Sequence, residues 1–245
     1  MFNFFHKTKQ PIKLWFTTDI HCHVIPGVDD GSPNVDTSVE LIEALGELGI
    51  KRIIATPHVT QATFENSPET IKAPLTILKE KLVDANIDIP ITNAAEYRID
   101  DLFDQCRASG VLMTYPDNYI LIENSFIQEP WNLEQIIFDL QVKGYKPIFA
   151  HPERYLYYHN RVNRYKELHD SGLLFQINLL SLAGYHGKAE RKMAEYFIDN
   201  NMVDFIGTDT HGHRHIDAFR NYLISRDAER DMSRLAPMIK NDIFN

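Results

Sequence analysis

A single α/β domain built on one parallel sheet, either barrel-like or doubly wound, is the fold that the chain predicts. Short runs of β-branched and aromatic residues alternate with segments of helical apolar spacing along the whole length. No low-complexity linker, long charge run or internal repeat interrupts that alternation. A chain of 245 residues with 44% apolar side chains can also fill one sizeable core, so residues 1–245 are expected to form one domain.

The elements follow in order. The first strand, FTTDI at 16–20, runs into the polar stretch HCHVIPGVDDGS. NVDTSVELIEALGELG at 34–49 spaces its apolar residues as a helix, with Pro33 just before the start and Gly49 where a C-terminal cap belongs. RIIAT at 52–56 is a strand, and SPETIKAPLTILKEKLVDAN at 67–86 is a helix with Pro68 in its first turn. IPITNA at 89–94 is the third strand, followed by the least regular connection, 96–119. The strand YILIE (119–123) precedes the helix NLEQIIFDLQVKG (132–144), and the strand PIFAH (147–151) precedes the helix RVNRYKELHDSG (161–172). Gly144 and Gly172 stand where those helices should stop. The strand LLFQIN (173–178), the helix GKAERKMAEYFIDNN (187–201) and the strand VDFIGT (203–208) complete seven strands and five helices.

The formal net charge of −9 argues against a surface that coats nucleic acid, while leaving room for a local basic pocket for an anionic substrate. With only Cys22 and Cys106 there is no disulfide framework and no C-x-x-C, which favours a reducing compartment, the cytoplasm. The N-terminal MFNFFHKTKQPIKLWF is broken by Asn3, His6, Lys7 and Lys9 and does not read as a signal peptide. The stretch LLFQINLLSLAG is too short and too polar to span a bilayer.

The polar residues that follow the strands carry the chemistry. In order they are His21 and His23, His58, Glu96, Glu123, His151, Asn178, then Asp209 and His211, each about one strand plus a return helix of roughly 30 residues from the last. In a parallel barrel all strand C-terminal ends open on one face, so this spacing gathers them around a single mouth. An H-x-H alone is a weak sign in a chain with 11 histidines. Eight ligand-type residues at six of seven strand ends are not weak. Imidazole and carboxylate together suit Mn, Fe or Zn, and two to three divalent ions would need the shared oxygen ligands that such a ring supplies. His159, His169 and His186, like His6, follow no strand and read as surface or loop residues.

The motifs DIHCHVIPGVDDG, ATPHV, AAEYR, LIEN, AHPER and GTDTH together resemble those of the polymerase and histidinol phosphatase (PHP) superfamily, over about residues 17–225. The resemblance is closest to its bacterial protein-tyrosine phosphatase branch, associated with capsule and exopolysaccharide synthesis. It implies a distorted (β/α)7 TIM-like barrel, the PHP fold, holding three metals. It further implies that His21, His23, Glu96 and Asp209 bind one metal, that Glu96 bridges to a second held by Glu123 and His151, and that Asp30, His58 and His211 hold a third. Asp29 reads as a turn residue or one that orients a ligand.

Arg154 in HPER, Arg98 in EYR and Arg214 in HGHR each follow a proposed ligand by two or three residues, so all three are expected at the mouth, where a guanidinium fork suits phosphate oxygens. His213 and His215 read equally as donors behind the ligands or as surface residues. The aromatic stretch RYLYYHNRVNRY reads as packing before it reads as an aryl groove. A cysteine phosphatase needs an Arg six residues after its Cys, where this chain has Val28 and Leu112, and no Walker A, G-x-G-x-x-G or G-x-S-x-G motif is present. The expected activity is therefore a metal-dependent phosphomonoesterase attacking phosphorus with a metal-bridging hydroxide. The resemblance makes the substrate a phosphotyrosine protein, with a bacterial tyrosine kinase of polysaccharide export as a candidate partner. The alternatives are a histidinol-phosphatase-like small-molecule enzyme and a TIM-barrel nuclease or amidohydrolase.

Overall fold

The computed structural model describes residues 12–245, so His6 and most of the N-terminal apolar stretch lie outside it. After β1 (Thr18–Asp19) come α1 (Val35–Leu48), β2 (Arg52–Ala55), the hairpin β3 (His58–Thr60) and β4 (Phe64–Glu65), and α2 (Pro68–Asp84). Next are β5 (Ile91–Asn93), β6 (Glu96–Arg98), α3 (Asp101–Ser109), β7 (Tyr119–Glu123), α4 (Leu133–Val142) and β8 (Lys146–Ala150). The chain ends with α5 (Val162–Asp170), β9 (Leu174–Asn178), α6 (Leu179–Leu182), α7 (Lys188–Asp199), β10 (Phe205–Gly207), α8 (His213–Leu223) and α9 (Arg226–Leu235).

Local chemistry sets the helix starts. The Asn34 side chain accepts from the Thr37 N–H at 2.9 Å and opens α1. Ser67 and Thr70 form a reciprocal capping box at the head of α2, with Pro68 at a position where a missing N–H costs nothing. Among the described residues no helix is long and apolar enough to cross a membrane.

The strands form two sheets rather than one closed ring. One has the order β1-β2-β5 and the other the order β10-β9-β8-β7-β6-β3-β4, and every pair is parallel except the β3/β4 hairpin. The expected strand at 52–56 gives way to β3 at Pro57, which has no N–H to donate to a ladder. The strand expected at 89–94 likewise continues as β6 beyond Ala94 and Ala95. The same two chain segments stay paired on either side of these breaks: the Ala94 N–H donates to the Ala55 carbonyl at 2.9 Å in one sheet and the Glu96 N–H to the Pro57 carbonyl at 3.1 Å in the other. At the other edge β1 and β10 meet beyond their ends through a Cys22–Thr210 bridge and through Asp209 N–H donating to the His21 carbonyl at 2.7 Å.

Successive strand residues face opposite ways, and the core divides accordingly. Ile20, Ile54, Leu121, Ile148 and Phe205 join Tyr115 and Phe244 in one small cluster, whereas Ile53, Ile120, Ile122, Phe149, Phe175 and Ile177 pack beneath the helices in a larger one. Burial on both faces is why these strands read as unbroken apolar runs. Because the strands run parallel, the residues at their C-terminal ends emerge on one face together with those where the chain resumes as β3 and β6 after β2 and β5.

Candidate metal centre

Glu96, the first residue of β6, lies at the centre of the emergent group. Its Oε2 is 3.2 Å from His21 Nε2, 3.4 Å from His23 Nε2 and 3.1 Å from His58 Nδ1, and its Oε1 is 3.0 Å from His151 Nε2. Glu123, the last residue of β7, reaches within 3.5 Å of the same His151 nitrogen. Asp209 Oδ1 approaches His21, His23 and His211 at 3.3 to 3.5 Å. Asp30 Oδ1 stands 3.6 Å from His58 and 3.5 Å from His211. All nine residues expected as ligands are thus brought together. Their donor atoms form overlapping sets that include His21, His23 and Glu96, then His21, His151 and Asp209, and finally His23, Asp30, His58 and His211.

The site fits metal ions on two grounds. His21 Nε2, His23 Nε2, His58 Nδ1 and Glu96 Oε2 are buried without a hydrogen-bond partner, and a folded protein rarely leaves four such atoms orphaned in one place unless a ligand satisfies them. The donors are also imidazole and carboxylate, the set that Mn, Fe and Zn accept. Backbone strain lies at the same spot: His151 (φ 33°) and Asp209 (φ 51°) adopt the left-handed region at the ends of β8 and β10, at a cost of about 1–3 kcal/mol each. Gly31 leaves no room behind His23, since a Cβ there would come within 2.5 Å of the His23 Cβ and closer still to its carbonyl oxygen.

The charges are closely coupled. Burial alone would lower the His21 pKa, but the Glu96 and Asp209 carboxylates push it up to about 9. Burial also opposes ionisation of Glu96, yet His21 and His58 hold it well below the carboxylate range. Glu123 goes the other way, raised well above that range by burial and by Glu96. His151 is lowered to about 4 by burial and by Arg154. Two carboxylates that cannot comfortably ionise together are what a divalent cation relieves.

Around this centre lies a cleft of about 570 Å³ lined by Arg98, Arg154, Phe64, Phe126, Tyr185 and His186 as well as several of the expected ligands. Arg154 reaches Asp209 Oδ2 at 3.0 Å and lies 4.8 Å over the Phe126 ring. Arg214 is not at the mouth. It is an exposed residue of α8, whose helical turn puts the next residue, His215, into the cleft wall and Ile216 into the core. His213 points out to Glu40, 3.0 Å away. His186, expected on the surface, lines the cleft, with its pKa lowered to about 3 by burial and by Arg154. Of the other two, His169 pairs with Asp204 at 3.1 Å and His159 meets the Glu153 carbonyl at 2.8 Å. Tyr155, Tyr158 and Tyr165 are fully buried packing residues, while the aromatic cleft wall comes instead from Phe64, Phe126 and Tyr185. Asp29 Oδ2 takes the His23 Nδ1 hydrogen at 2.8 Å. Gln176, which no motif marked, meets His21 Nδ1 at 2.6 Å.

Residues 17–236 match the family model for capsular polysaccharide synthesis, CpsB/CapC. The chain is 34% identical over 194 residues to the tyrosine-protein phosphatase YwqE of Bacillus subtilis (strain 168), covering 79% of this chain and 76% of that protein. It is 29% identical over 200 residues to the tyrosine-protein phosphatase CpsB of Streptococcus agalactiae, covering 79% and 82%. A solved chain from the pair YwqE of Bacillus subtilis and CpsB of Streptococcus pneumoniae, described as unique metal-dependent tyrosine phosphatases, superposes with a TM-score of 0.77 at 30% identity, covering 91% of this chain and 96% of that one. An amidohydrolase from Mycoplasma synoviae superposes with a TM-score of 0.55 at 12% identity, covering 91% and 86%, a likeness of fold alone.

Proposed function

Since the chain belongs to the CpsB/CapC family of capsular polysaccharide synthesis, we propose that it is a metal-dependent phosphomonoesterase acting on phosphotyrosine in a protein substrate. One observation carries this reading: a buried ring of imidazoles and carboxylates with orphaned lone pairs opens into a cleft walled by two arginines and three aromatic rings. His21, His23, Glu96 and Asp209 would hold one ion, Glu96, Glu123 and His151 a second, and Asp30, His58 and His211 a third. Two to three divalent ions of Mn, Fe or Zn bound there supply Lewis-acid polarisation of phosphoryl oxygens and a water of lowered pKa.

The protein's own part is binding and orientation. Arg154, braced between Asp209 and the Phe126 ring, keeps further guanidinium N–H groups for phosphate oxygens, and Arg98 adds positive charge from the end of β6. Phe126 and Tyr185 offer apolar walls to an aryl group. A phenolate leaving group has a conjugate acid near pKa 10, so it departs with little help from a general acid. We read the two sheets as one interrupted (β/α)7 ring in a single domain, supported by the Cys22–Thr210 bridge. A cytoplasmic location is supported by the two free cysteines, and a phosphorylated tyrosine kinase of polysaccharide export is the candidate partner.

The test is a metal-loaded assay comparing a phosphotyrosine peptide, a phosphoserine peptide, histidinol phosphate and single-stranded DNA. The phosphotyrosine peptide should give the highest kcat/KM. Preference for histidinol phosphate would make the protein a small-molecule phosphatase, and cleavage of DNA alone would make it a nuclease.

A further inference from the structure

β9 ends beside the cluster, between β8 and β10, yet contributes no residue to any of the His/Asp/Glu sets that could hold an ion. Its buried Gln176 and Asn178 instead reach two ligands carried by neighbouring elements. Gln176 Nε2 donates to the Ile177 carbonyl at 2.8 Å and to Asn178 Oδ1 at 3.1 Å, so both amide hydrogens are used. Only Oε1 remains for His21 Nδ1, 2.6 Å away. That contact can be a hydrogen bond only if His21 carries its hydrogen on Nδ1, which leaves the Nε2 lone pair for the cluster. Asn178 Nδ2 in turn donates to Asp209 Oδ2 at 2.6 Å, the same oxygen that Arg154 binds at 3.0 Å. Asp209 Oδ1 is thereby the oxygen turned toward His21, His23 and His211.

Neighbouring residues preserve this arrangement. Asn178 is itself held through its N–H, which donates to Glu153 Oε1 at 2.8 Å. Gly207 on β10 supplies the space, since a Cβ there would lie 2.6 Å from the His21 Cβ and 2.7 Å from Gln176 Nε2. His23 and His211 have their own holders, the Asp29 carboxylate and the Asp209 carbonyl. Among these three rings, His21 depends on an amide.

We propose that Gln176 and Asn178 are positioning residues for the metal centre, Gln176 by fixing the His21 tautomer and Asn178 by assigning one Asp209 oxygen to metal. The inference rests on the metal-dependent reading above and concerns how its ligands are prepared. Outer groups of this kind are typically worth about 10–100-fold in metal affinity.

The test is calorimetric titration of the full chain with Mn2+ and Zn2+, together with the melting temperature of each metal-free protein. Long-range 15N NMR on the Zn-loaded wild type reads the His21 tautomer. Gln176→Leu should bind about 10–100-fold more weakly. Gln176→Glu, which keeps an acceptor for His21, should recover part of the loss. Gly207→Ala, which crowds the same contact without removing a polar group, serves as the second variant should Gln176→Leu fail to fold, and should also weaken binding. A folded Gln176→Leu with wild-type affinity, a lower melting temperature with unchanged affinity, wild-type affinity in Gly207→Ala, or a proton found on His21 Nε2 would overturn the proposal. A wild-type protein that binds no divalent ion would overturn the metal-dependent reading itself.

Discussion

At the scale of single residues, Arg154 and Cys22 separate the metal reading from its rivals. Arg154 sits beside the strained His151 turn, pairs with Asp209 through Nη1 and lines the cleft. Arg154→Ala should lower kcat/KM on a phosphotyrosine peptide by about 10–1000-fold, or roughly 1.4–4 kcal/mol. Arg154→Lys should recover part of this, because an ammonium keeps the charge and loses the fork. Wild-type kinetics in Arg154→Ala at full metal occupancy would return this arginine to a structural role. Cys22 lies between two histidines of the cluster but is fully buried, and burial followed by Asp19 raises its thiol well above the usual range. Cys22→Ser should therefore keep most of the activity. Mass spectrometry of quenched reactions should find no phosphocysteine, and a phosphoryl group on Cys22 would overturn the mechanism.

At the scale of elements, the strand starts opposite the mouth carry stability rather than chemistry. Asp204, just before β10, accepts from the Phe175 N–H at 2.9 Å, meets His169 at 3.1 Å and takes the Lys240 ammonium at 2.7 Å, so it ties β9, α5 and the C-terminal segment together. Removing it orphans a buried N–H. Asp204→Ala should cost about 1–3 kcal/mol, with a fall in melting temperature of roughly 2–10 °C, and leave activity at 25 °C intact. Burial would raise the Asp204 carboxyl, but His169, Lys240 and the Phe175 N–H hold it below the usual 3.8. Its folded value thus lies below its unfolded one, so its stabilisation is fully present above pH 3.8 and is lost as pH falls through the folded value. Melting curves of wild type and Asp204→Ala should converge on acidification, and a gap that stays constant to low pH would refute this. The elements legible in the sequence were those with strong local signals: α1 and α2 begin at their capping residues, and β7, β8 and β9 are short runs rich in β-branched and aromatic residues. Those that escaped include β6 and α3, inside the irregular 96–119 connection, the short β4 and α6, and the helices α8 and α9. α9 is amphipathic but densely charged, and α8 opens within HGHRH, where site residues and helix start share the same letters.

At the scale of the whole molecule, a centre assembled from six of the seven strand regions couples metal binding to the integrity of the fold. Gently purified protein should hold two to three equivalents of transition metal. Chelation should abolish activity and lower the melting temperature, and Mn, Fe or Zn should restore both. A stoichiometry of one that loading does not change would sink the multinuclear arrangement. By itself the sequence determined the α/β class, the order of seven strand regions and eight residues of the ring, because each of the eight follows a strand run and the spacing of strand plus helix gathers such ends at one face, while Asp30 came from the motif resemblance alone. Only the tertiary structure decided that the strands divide at Pro57 and Ala94 into two sheets, that Arg214 faces solvent while His186 and His215 enter the cleft, and that Gln176 holds His21. The physical reason is one of range. Strand ends are fixed by the pattern of adjacent residues, whereas the direction of a loop or helix side chain, and the partner it meets across 155 positions of chain, follow from how the elements pack.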